Sequence, residues 1–76
     1  MKSNEEKKAI LLKHYDINEI CEIMGYWDGS NEDVSTPEME ELEKTNFDLF
    51  EQKMLDHAII NGNFEECIEK DYRFSL

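Results

Sequence analysis

Thr36-Pro37-Glu38-Met39-Glu40-Glu41-Leu42-Glu43-Lys44-Thr45-Asn46-Phe47-Asp48-Leu49-Phe50, continuing through Met54, Leu55, Ala58 and Ile59 to Gly62, decides the fold class. Threonine can cap a helix, proline suits the first helical position, and acids fill the first turn. The apolar residues then recur at helical spacing, and Gly62 is a natural terminator. The stripe changes phase at Lys44-Thr45-Asn46. Met39 and Leu42 belong to one stripe; Phe47, Phe50, Met54, Leu55, Ala58 and Ile59 form a broader one. The segment therefore reads as one bent helix or as two helices.

The flanks repeat this grammar. Ser3 and Glu6 fit a capping box ahead of Lys7–His14, with Glu5 and Glu6 near the positive helix end and Lys13 near the negative one. Asp16 reads as a second N-cap, with Glu19 three residues on. Ile17, Ile20, Cys21 and Met24 then share one face up to Gly25, a natural stop. Asp28-Gly29 marks a turn within 26–35, where Tyr26, Trp27 and Val34 can fold back on a core. A brief hairpin there is the secondary reading. Asn63 can cap a last helix on which Phe64, Cys67, Ile68 and Asp71 share a face, and Tyr72, Phe74 and Leu76 continue with apolar character. The predicted fold is all-α, a small bundle of four to five short helices at about 4–14, 17–24, 37–44, 46–61 and 64–72. With 76 residues it is one domain at most, spanning 1–76.

Apolar residues make up 39% of the chain, enough for a core and too much for a simple disordered tail. Nothing near Met1 resembles a secretory signal, and no run is long enough to span a membrane. Cys21 and Cys67 both occupy apolar helical positions, so free thiols in a reducing compartment are expected, with a disulfide as the minor alternative. These features predict a cytoplasmic protein, placed in the host cytoplasm if it is viral.

Charge is the strongest functional signal. The chain carries 19 Asp and Glu against 8 Lys and Arg, for a formal net charge of −11. Such a charge repels nucleic acid and anionic membranes and attracts a basic surface. The acids are also unevenly placed. Asp16, Glu19, Glu22, Asp28, Glu32, Asp33, Glu38, Glu40, Glu41 and Glu43 fall between His14 and Lys44, with no Lys or Arg among them. Glu38–Glu43 alone hold four carboxylates, about one per 2 Å of helix axis at 1.5 Å rise. Duplex DNA presents about one charge per 1.7 Å. In size and charge the chain is similar to the small, often phage-encoded proteins that inhibit DNA-binding proteins by imitating DNA. That similarity is one of class and not of sequence. The competing reading is an acidic face that only solubilises.

Ile17–Tyr26 resembles the first helix and turn of a helix-turn-helix unit, with small Cys21 four positions before Gly25. The resemblance then stops, because residues 27–36 carry acids in place of a basic recognition helix. Asp28, Ser30 and Glu32 alternate as in a calcium loop, but Asp33 stands where glycine is needed and Met39 where a bidentate glutamate is needed. His14, Cys21, His57 and Cys67 lack zinc-finger spacing. No nucleophile elbow or phosphate-binding loop is present, so neither an enzyme nor a cofactor is expected.

Two functions follow as expectations. The first is an inhibitor or modulator that occupies the basic nucleic-acid-binding surface of a partner, such as a nucleic-acid-binding protein or nuclease. Its contacts would come from Glu38, Glu40, Glu41 and Glu43, supported by Glu19, Glu22, Asp28, Glu32 and Asp33, with Tyr26 and Trp27 as an apolar anchor. The second is an interaction module of antitoxin, immunity or adaptor type. It would bind through the 46–61 stripe, Phe74 and Leu76, and a homodimer is one form of it.

Overall fold

Among the described residues five helices follow in chain order, the first four beginning where the sequence supplies a cap. The computed structural model describes residues 3–61 and 64–74, with side chains up to Glu69. The helices are α1 (Asn4–His14), α2 (Ile17–Ile23), α3 (Pro37–Thr45), α4 (Phe47–Asn61) and α5 (Glu65–Phe74). No strand forms among the described residues, so the secondary hairpin reading for 26–35 is not realised. The expected Asn63 cap and Gly62 stop lie outside the described residues.

Ser3 Oγ accepts the Glu6 amide at 3.2 Å, and its hydroxyl donates to the Glu6 carboxylate. The return bond thus goes to the side chain, where a capping box would bond the backbone amide. The box at Asp16 is complete. Its carboxylate accepts the Glu19 amide at 2.8 Å, and the Glu19 carboxylate accepts the Asp16 amide at 3.3 Å. Thr36 Oγ1 accepts the Met39 amide at 3.1 Å and starts α3.

The phase change near residue 45 is a break between two helices. Asn46 leaves the helical region at φ −152°, ψ 78°. Its amide still donates to the Leu42 carbonyl, and its side-chain oxygen accepts the Leu49 amide at 3.3 Å. One residue therefore closes α3 and opens α4.

α2 ends in a Schellman motif. The Gly25 amide donates to the Glu22 carbonyl and the Tyr26 amide to the Cys21 carbonyl. Gly25 takes φ +76°, a conformation an L side chain resists. The loop then folds over it, with the Asn31 amide donating to the Gly25 carbonyl. A methyl group on Gly25 would overlap Ser30 Oγ and crowd Asn31 Cβ and N at 3.2 Å. Gly25→Ala should cost about 2–3 kcal/mol, from left-handed strain plus crowding. Gly29 also has a positive φ, but the space around it is open. Gly29→Ala should therefore cost about 1 kcal/mol. Urea denaturation of the two variants checks the ordering, and equal losses would contradict it.

α4 is the hub, packing against α1, α2 and α3, while α5 packs on α1. Its inner face supplies Phe50, Met54, Leu55 and Ala58 to a core completed by Leu11, Ile20, Cys21, Met24, Tyr26, Val34, Met39, Phe64 and Ile68. Ile59 is half-buried against this core. Phe47 departs from the expected stripe and is 44% exposed. It stands at the first position of α4, just after the turn at Asn46, and leans on Phe50 with ring centroids 5.4 Å apart.

One cation ties α1 to α4. Lys8 Nζ donates to Asp56 Oδ1 at 2.8 Å and to Gln52 Oε1 at 3.1 Å, with Glu5 at 3.7 Å. Its side chain is mostly buried along its length, so the aliphatic stem adds packing to the ion pair.

Candidate partner-binding face

The acidic stretch lies on α2, the loop 24–36 and α3. Its carboxylates divide into those engaged inside the chain and those left to solvent. Glu19 is occupied by the Asp16 cap. Asp28 Oδ1 accepts the Ser30 amide at 2.9 Å, which lowers the Asp28 pKa. Glu38 pairs with Lys53 of α4 at 2.9 Å, and this bond likewise lowers its pKa. Both partners are exposed, so the pair adds little stability. Glu43 accepts a hydrogen bond from the Tyr26 hydroxyl at 2.8 Å. Glu22, Glu32, Asp33, Glu40 and Glu41 are exposed and form no ion pair with a described residue.

This division changes the picture of a row of charge on α3. At 3.6 residues per turn, Glu38 and Glu41 lie on one side of the helix and Glu40 and Glu43 lie on another. The partners bear this out, since Glu38 reaches α4 and Glu43 reaches Tyr26. The four carboxylates do not form a single line, and two of them already have partners.

The expected aromatic anchor also splits. Tyr26 is 5% exposed and belongs to the core, because as the residue after Gly25 in the Schellman turn it is directed back onto α2 and α4. Its ring packs edge-on against Phe50 at 5.3 Å and against Trp27 at 4.9 Å. It is therefore corrected from a contact residue to a support. Trp27 is 51% exposed and remains available. Phe47 is a second half-exposed ring, joined to Tyr26 through Phe50. Nothing in the sequence signalled Phe47 as a surface residue, since its spacing from Phe50 suits a buried stripe.

The Tyr26 hydroxyl is held neutral. Burial, then the hydrogen bond to Glu43 and the charges of Glu43 and Glu40, raise its pKa above the ordinary value. A raised folded-state pKa contributes stability that is fully present below the unfolded value of about 10 and lost as pH rises past it. Tyr26→Phe should cost about 1–2 kcal/mol at neutral pH, because Glu43 loses its donor. It should also remove the highest-pH component of the phenolate absorbance titration. An unchanged titration would place that component on another tyrosine. Cys21 lies in the same region, and burial followed by the Glu43 charge pushes its thiol up to about 11. That thiol stays protonated at neutral pH and is a poor nucleophile. Cys21 and Cys67 are both free.

Other expected features can be placed. Among the described residues, no three His, Cys, Asp or Glu side chains stand together as a metal site. No helix among them is long and apolar enough to cross a membrane. The stripe expected to serve an apolar interface is spent in the chain's own core at Phe50, Met54, Leu55 and Ala58. The side chain of Phe74, and Leu76 as a whole, lie outside the described residues. A shallow groove of about 200 Å³ is lined by Lys7, Ile59, Glu65, Ile68 and Glu69, away from the acidic stretch.

Fold and surface thus define a small all-α bundle with an acid-rich α2–α3 stretch and a half-exposed tryptophan within it. No family model, curated protein or solved structure matches the chain.

Proposed function

We propose that the protein binds the basic surface of a partner and modulates that partner by occupying its nucleic-acid-binding site. The observation that carries this reading is the set of five exposed carboxylates that form no ion pair with a described residue, Glu22, Glu32, Asp33, Glu40 and Glu41. They fall in a stretch of chain with no Lys or Arg. Carboxylates that are already paired gain little from a new cation, whereas unpaired ones beside a net charge of −11 gain from each one. Trp27, half-exposed within the same stretch of chain, adds an apolar contact. The partner class that fits is a nucleic-acid-binding protein or nuclease, whose own site is built to take closely spaced anions.

Affinity capture from a bacterial lysate with the tagged protein, eluted by a salt gradient, tests this. Basic nucleic-acid-binding proteins should leave the column at moderate salt, because exposed charge pairs are screened within about 8–10 Å at physiological ionic strength. A partner retained through high salt would point to an apolar interface and count against charge occupation. An empty column would leave the acidic stretch with a solubilising role.

A further inference from the structure

Trp27 is half-exposed, yet it is held in place. Its ring packs against Tyr26 at 4.9 Å with an interplanar angle of 68°. Tyr26 is buried and bonds Glu43 at 2.8 Å through its hydroxyl. One core residue therefore fixes an exposed indole and a half-buried carboxylate relative to each other. We propose that Trp27 and Glu43 form a docking point for an arginine side chain of the basic partner, with the guanidinium lying on the indole and donating to the carboxylate. This rests on the reading that the partner is basic.

Charge decides the occupant. A second copy of this chain would bring another −11, and a phosphate would meet the same repulsion. An ammonium group would satisfy the carboxylate, but it is compact and strongly hydrated. A guanidinium is planar and weakly hydrated, so it can stack on an aromatic ring while its N–H groups still donate in plane.

The chain has one tryptophan, so indole emission reports on this point alone. The intact protein is titrated with nona-arginine and with nona-lysine peptides, following emission and heat in parallel. Trp27→Ala is titrated by calorimetry, with Trp27→Leu as a second variant that keeps apolar bulk if the alanine form does not fold. The arginine peptide should bind about two- to fivefold more tightly than the lysine peptide and shift the emission. Either variant should lose that preference, so that the two peptides bind alike. Equal affinities, or an emission that nona-arginine does not move, would overturn the arginine docking point while leaving a basic partner in place. Failure of both peptides to bind would overturn the basic-partner reading as well. Sedimentation showing a dimer that Trp27→Leu dissociates would assign the face to a second copy and overturn the proposal.

Discussion

Phe50→Ala is expected to remove a large share of the folding stability, about 3–5 kcal/mol. Phe50 is 1% exposed on α4, between Tyr26 and Phe47. Truncating a buried phenylalanine costs about 3–5 kcal/mol, the sum of lost transfer energy and a residual cavity. A chain of this length has a total stability of roughly 4–11 kcal/mol. One substitution at the hub would thus remove about a quarter of it or more. The damage also spreads. Tyr26 would lose the ring it leans on, and with it the support beneath Trp27 and Glu43. Urea denaturation followed by circular dichroism should show a much lower midpoint with little change in slope. Phe47→Ala is the control, since that ring is 44% exposed and should cost about 1 kcal/mol. Comparable losses at the two positions would mean that Phe47 is packed as deeply as Phe50.

Neutralising Glu22, Glu32, Asp33, Glu40 and Glu41 together should abolish most of the affinity for a basic partner while leaving the helices intact. None of the five pairs with a described residue, so their loss breaks no ion pair among the described residues. Exposed ion pairs contribute about 0.5 kcal/mol each, so five amount to roughly 2.5 kcal/mol, or about seventyfold in affinity. A control variant neutralises Glu5, Asp48, Glu51, Glu65 and Glu69 and so carries the same net charge. It should bind nearly as well as the parent. Equal loss in both variants would show that total charge, and not its placement, drives association.

Most of the fold was legible because helix ends are written in local chemistry. Thr36-Pro37, Asp16 with Glu19, and Gly25 each act within a few residues, so the sequence alone exposes them. The break at Asn46 was legible as a change of phase, though periodicity could not choose between a bend and two helices. The choice rests on Asn46 bonding both ways. The loop was not legible, because its course depends on bonds such as Asn31 to Gly25 that no periodicity announces. The candidate site shows the same division. Charge and its clustering can be read directly from the chain. Which carboxylates are free depends on partners remote in sequence, such as Lys53 for Glu38 and Tyr26 for Glu43. Burial of Tyr26 depends on the turn at Gly25 and on α4, twenty or more residues away.

The short junctions between helices also bear on how quickly the chain finds its fold. α1 and α2 are separated by Tyr15 and Asp16, and α3 and α4 by Asn46 alone. α3 can thus pack on α4 with almost no loop to close, a contact between sequence neighbours. Bundles dominated by such local contacts fold on roughly the microsecond-to-millisecond scale. The exceptions are the contacts of α4 with α1 and α2 and of α1 with α5, which must enclose the intervening chain. The Lys8–Asp56 bond belongs to that closure. A long loop closure therefore lies in docking the N-terminal helix onto the α3–α4 pair, a step in which Lys8 meets Asp56.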